Sequence, residues 1–176
     1  MNDPRAVNPA ESSLAAESTQ NFVDAMAMAA TGVTVVVTDG AAGRAGITVS
    51  AFTSVSAEPP LVLICVNRKS AAVETITANA KFCVNLLGEG HRPLADIFAG
   101  RDAEAKASAL DSEIWAPGLT GLPILPDAPA AFECTLHETV DAGTHRIFIG
   151  RVVKAHHSQT PALAYSRRTY SHLAPL

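Results

Sequence analysis

The sequence predicts a mainly β fold, an antiparallel Greek-key barrel with helices at its periphery. Runs of β-branched and aliphatic residues outnumber the helical segments. The connections at Asp39–Gly46 and Asp141–His145 are too short for parallel crossovers. A chain of 176 residues that is 48% hydrophobic has enough apolar material for one substantial core.

A helix is expected over Asn21–Ala30, capped by Ser18 or Thr19, with Phe22, Met26 and Ala29 on one side and Thr31-Gly32 as its stop. Val33–Thr38 reads as a strand, and Asp39-Gly40-Ala41-Ala42-Gly43 as the reversal before Ile47–Val49. Ser50–Ala57 is small and polar and Pro59-Pro60 breaks pairing; Leu61–Val66 reads as a strand buried on both faces. A helix over Ala71–Asn79, a strand over Phe82–Leu87 and a short helix over Leu94–Phe98, started by Pro93, come next. Gly100–Pro129 reads as a long loop, of a length that usually covers something or carries function. Phe132–Glu138 and Arg146–Val153 complete the sheet around a turn at Asp141–Thr144, and Ala162–Tyr165 adds a last short strand.

Thirteen Lys and Arg against 17 Asp and Glu give a net charge of −4, and no basic run exceeds Arg68-Lys69 or Arg167-Arg168. That argues against nucleic acid as a partner. The longest aliphatic run, Leu61–Val66, is far below the roughly 20 residues of a membrane span. Residues 1–20 lack an apolar segment and read as a disordered leader, with one domain over 21–176. Cys65, Cys83 and Cys134 are odd in number, have no metal-ligand spacing and read as buried, reduced thiols of a cytoplasmic protein. The six histidines form no metal-ligand pattern.

Neither a G-x-G-x-x-G after a strand nor a P-loop nor a G-x-S-x-G elbow occurs, which removes the commonest nucleotide and hydrolase sites. Three segments carry chemistry. In Gly46–Ser56, small hydroxylated residues alternate with apolar ones, so a flat ring can lie on the backbone while N–H and hydroxyl groups bond its polar edge; an ordinary strand edge explains the same composition. Asn67-Arg68-Lys69-Ser70 joins two cations to a helix start, which suits a phosphate, although a solvated turn has the same residues. Gly143-Thr144-His145 delivers a histidine to the mouth of the last long strand, a position at which histidines are often structural.

In this order and spacing the segments resemble the short-chain flavin reductases, whose fold is the FMN-binding split barrel. The matches are Ala30–Val36, Gly46-Ile47-Thr48 through Val55-Ser56, Pro59–Leu63, Asn67–Ser70, Phe82–Leu87, Phe98-Ala99-Gly100, Gly121–Leu125, and Gly143-Thr144-His145 with Gly150. They cover about Phe22 to His172, and they look most like reductase components of two-component aromatic hydroxylases. One departure is Thr144, where many relatives have Asp.

The resemblance implies reduction of FMN or FAD by NADH or NADPH, with reduced flavin passed to a separate monooxygenase. Hydride transfer between such cofactors needs no protein nucleophile, so the protein's tasks are stacking and alignment. It implies that Gly32, Val33, Thr34, Thr48, Val49, Ser50, Ala51, Ser54 and Val55 contact the flavin ring and ribityl chain, and that Asn67, Arg68, Lys69 and Ser70 hold its phosphate. Phe98 and Ala99 would lie near the outer part of the flavin, Tyr170 near the flavin or nicotinamide site, and His145 beside the nicotinamide as the catalytic residue. A homodimer with sites close to the subunit interface is implied as well. A flavin-binding protein without turnover and an oxidase of the pyridoxamine-phosphate type are the alternatives on the same barrel.

Overall fold

A computed structural model describes residues 9–174. In chain order the elements are α1 (Pro9–Ala27), β1 (Thr31–Gly32), β2 (Thr34–Gly40), β3 (Gly43–Val49), β4 (Phe52–Ala57), β5 (Pro60–Asn67), α2 (Ala72–Asn79), β6 (Lys81–Leu86), a 3-10 turn at Glu89–His91, α3 (Arg92–Ala99), α4 (Ala103–Leu110), β7 (Ala116–Pro117), β8 (Pro123–Ile124), β9 (Ala130–Ala142), β10 (His145–His157), β11 (Leu163–Ser166) and β12 (Thr169–His172). Seven strands form one antiparallel sheet in the order β3-β2-β6-β9-β10-β5-β4. The chain leaves β5 through α2 and returns at β6, skipping the β9–β10 hairpin, which is the long connection of a Greek key. The Cys65 amide donates to the Ala51 carbonyl (3.0 Å), carrying the β4–β5 ladder one step beyond Phe52 to the corner where β3, one edge of the sheet, passes directly into β4, the other, as the curled sheet of a split barrel does.

Val36, Ile64, Phe82, Val84, Cys134 and Phe148 fill the barrel, and a second cluster around Val35, Leu87, Phe98 and Leu122 seals the sheet against α3 and the 116–128 segment. Glu133 is fully buried inside this frame. Its carboxylate accepts from the Leu119 amide (3.0 Å), the Thr120 amide (2.7 Å) and the Thr120 hydroxyl (2.6 Å), and pairs with His156 Nε2 (2.9 Å). Burial pushes this carboxyl up, but the bonds from Thr120, His156 and Leu119 outweigh it and hold it down at about 2. Gly118 makes room: a Cβ there would meet the carboxylate at 2.6 Å.

Several expectations change. Residues 9–20 are helical, so α1 begins well before Asn21 and ends at Ala27 rather than Ala30; residues 1–8, the rest of the expected leader, lie outside the described residues. Ser50–Ala57 contains β4, whose residues are all exposed or half-exposed, so no alternation of buried side chains announced it. The strand over Leu61–Val66 is buried on one face only: Val62, Ile64 and Val66 point inward while Leu61, Leu63 and Cys65 are half-exposed. Gly100–Pro129 is not all loop but holds α4, capped by Asp102, whose carboxylate accepts from the amides of Glu104 and Ala105 (both 3.0 Å). Cys83 and Cys134 are buried free thiols, whereas Cys65 is half-exposed. No helix among the described residues is long and apolar enough to cross a membrane.

Candidate functional site

β5 and β10 bring two of the chemical motifs together. His145 is the direct register partner of Asn67 across that pair, so the histidine turn and the start of the Asn67–Ser70 turn lie side by side. The Arg68 amide donates to the Thr144 carbonyl (3.0 Å), its guanidinium donates to the Gly143 carbonyl (3.5 Å), and it lies 3.7 Å from Asp141. Arg146 grips the same Asp141 through two bonds of 2.6 and 3.0 Å, and these bonds hold that carboxyl below its usual range. Arg68 therefore braces the two turns against each other, a different task from the phosphate contact expected of it.

The remaining residues of that tetrapeptide face a cleft of about 930 Å³ between α2 and α4, with β3 as its floor. Asn67 Oδ1 accepts from the Lys69 amide (3.0 Å) and the Ser70 hydroxyl from the Ala72 amide (3.3 Å), which shapes the turn into the first turn of α2. The Lys69 ammonium, exposed at the turn, has no carboxylate partner among the described residues. Thr48, Phe98 and Ala99 line the same cleft, and Thr48 is fixed by donating to the Ala95 carbonyl (2.7 Å). Gly46 makes room for Phe98, since a Cβ there would come within 2.4 Å of the Phe98 ring.

Other expected residues lie elsewhere. Val33, Thr34 and Val49 are 2%, 0% and 5% exposed, and the Thr34 hydroxyl donates to the Val49 carbonyl (2.7 Å), so their side chains belong to the core and only their backbone can reach a ligand. Gly32 pairs with Ala164 in the small sheet β1-β11-β12. Ser50 and Ala51 are exposed at the β3–β4 corner. Ser54 and Val55 line a separate apolar cavity of about 420 Å³ with Leu61, Phe132 and Val152. Tyr170 lies outside the cleft: its hydroxyl donates to Asp96 (3.0 Å), its ring sits 5.3 Å from Tyr165 and 5.3 Å from the Arg92 guanidinium, and burial with the Asp96 carboxylate pushes its pKa up to about 12. His145 is exposed, with Nδ1 2.9 Å from the Thr144 hydroxyl, so Thr144 supplies the hydrogen-bonding partner that its side chain allows.

Three cleft residues escaped sequence reasoning: Arg44, Arg101 and Lys106. They form no basic run in the chain and only the packing of α4 on β3 gathers them; the one local signal is that Arg101 follows Phe98-Ala99-Gly100 directly.

An antiparallel split barrel with a cationic cleft at a helix start, and a histidine one strand away from it, defines a nucleotide-handling barrel. The model of the flavin reductase like domain family matches residues 26–174, and the chain belongs to that family. It is an NAD(P)H:flavin oxidoreductase. It is 42% identical over 155 residues to the FMN reductase (NADH) RutF of Bradyrhizobium diazoefficiens, a match covering 86% of this chain and 83% of the relative. Among solved structures it is similar to BorF, the flavin reductase component of a bacterial two-component tryptophan halogenase (TM-score 0.83, 33% identity, 90% of this chain and 99% of that one). It is also similar to the Streptomyces globisporus NADH:FAD oxidoreductase SgcE6 in complex with NAD and FAD fragments (TM-score 0.82, 32% identity, 90% and 94%).

Proposed function

We propose that the protein reduces FMN at the expense of NADH in the cytoplasm and hands the reduced flavin to a separate monooxygenase. The observation that carries this reading is the β5–β10 register, which sets His145 beside Asn67 at the edge of a cleft whose Lys69 lacks an anionic partner. The donor set fits a flavin phosphate: an amide side chain at Asn67, a hydroxyl at Ser70 and an unpaired ammonium at Lys69. Bound flavin supplies a ring that accepts hydride from a reduced nicotinamide. The protein's part is alignment. Phe98, seated against Gly46, and Thr48, tied to Ala95, wall the cleft, the Ser50–Ala51 corner offers backbone polar groups, and His145, oriented by Thr144, holds the nicotinamide in place.

The relatives named FMN reductase (NADH) support FMN and NADH as the pair, and the free thiols fit a reducing compartment. A homodimer accounts for the half-exposed Leu61, Leu63, Cys65, Ile147 and Ile149 on the outer face of β5 and β10, an apolar surface otherwise left to water. Steady-state oxidation of NADH and NADPH with FMN, FAD or riboflavin tests the reading. NADH with FMN should give the highest kcat/KM, and no acceleration of NADH oxidation by any flavin overturns it.

A further inference from the structure

The cleft holds four of the chain's thirteen Lys and Arg and none of its seventeen Asp and Glu, in a protein of net charge −4. These cations are not equivalent. Arg44 is neutralised, with Nε 2.8 Å from Asp39 and Nη1 2.8 Å from Asp111. Lys69 belongs to the Asn67–Ser70 turn. Arg101 and Lys106 stand on the α4 side, and among the described residues neither side chain has a carboxylate or hydrogen-bonding partner. Lys106 is half-buried, and burial alone pulls its ammonium below the usual value. The α4 N-terminus is already closed by Asp102, so the unmet charge is that of the side chains.

A half-desolvated ammonium without a counter-charge is costly, and the cost is relieved by an anion brought from outside. One phosphate on the α2 side leaves Arg101 and Lys106 unmatched. The cleft, near the upper end of the 300–1,000 Å³ range of small-molecule sites, is roomy for a mononucleotide. We infer that Arg101 and Lys106 form a second phosphate subsite, which receives the diphosphate of a dinucleotide whose ADP half lies along α4. The inference rests on the flavin reading of the Asn67–Ser70 turn and deepens it. Two ligands carry this chemistry, FAD and the nicotinamide dinucleotide, and they are separated by experiment.

Calorimetric titration of FMN, FAD, NAD+ and ADP into the wild type, Lys106→Met, Arg101→Gln and Lys69→Gln, at low and high salt, tests it. Lys106→Met and Arg101→Gln should each weaken ADP and a dinucleotide roughly tenfold, less at high salt, while FMN stays within about twofold. Lys106→Arg should restore binding. A loss falling on FAD assigns the subsite to the flavin dinucleotide; one falling on NAD+ assigns it to the nicotinamide dinucleotide. The inference is overturned if ADP, FAD and NAD+ all bind the folded variants as they bind the wild type. It is equally overturned if FMN weakens as much as the dinucleotides, which would make α4 part of the single-phosphate cradle. Failure of the flavin reading itself has a different signature: Lys69→Gln would leave FMN affinity unchanged.

Discussion

At Glu133 a fully buried carboxylate is met by four hydrogen-bonding groups, whereas in the cleft between α2 and α4 the ammonium groups of Lys69 and Lys106 have no carboxylate partner among the described residues. The first charge is satisfied within the chain and serves to pin the 118–120 segment and β10 onto β9. The second set is left to water or to an anion from outside. A charge whose partners are all internal is part of the structure, and one whose partners are missing points to a ligand.

The sharpest way to break this contrast is at the satisfied end. Glu133→Ala strands the Leu119 and Thr120 amides and should cost roughly 3 kcal/mol of stability, measured by urea unfolding. Because the Glu133 carboxyl is held at about 2, below the ordinary value of 4.5, its contribution is complete above about pH 4.5 and is lost as pH falls toward 2. Wild type should therefore lose stability between pH 5 and pH 3 more steeply than the variant; parallel curves would remove Glu133 as the cause.

At the unsatisfied end, Lys69→Glu should weaken FMN binding on the order of 10- to 100-fold in a salt-sensitive way while leaving the melting temperature almost unchanged. Unaltered affinity would return the tetrapeptide to a plain turn. His145→Ala should raise the KM for NADH or slow hydride transfer by roughly tenfold, with flavin affinity preserved. A collapse of flavin affinity with normal nicotinamide kinetics would reverse that assignment. Tyr170→Phe removes one half-exposed hydrogen bond to Asp96 and should change stability by less than about 1 kcal/mol, with FMN affinity intact. A large loss of FMN affinity would move Tyr170 back toward the flavin.

The strands with a buried face were legible because β-branched runs such as Val33–Thr38 need no partner to be recognised, and the hairpins because Gly43 and Gly143 adopt positive φ at their turns. β4 was not, since its Ser and Thr residues bury no face, and neither was α4, whose Ala-rich sequence has no apolar stripe to separate it from loop. The same limit governed the site. Asn67–Ser70 and Gly143–His145 are contiguous and can be seen in one dimension, while Arg44, Arg101 and Lys106 become neighbours only through tertiary packing. Val33, Thr34 and Val49 were placed at the flavin by motif, although their side chains are consumed by the core.

The pairing of His145 with Asn67 fixes the spacing between the proposed nicotinamide and phosphate contacts by main-chain geometry, adjacent strands standing about 4.8 Å apart whatever side chains they carry. Repacking the barrel interior can then soften or stiffen the protein without moving His145 relative to Asn67. A register slip of a single residue would do the opposite, turning His145 to the other face of the sheet and ending the alignment at one stroke.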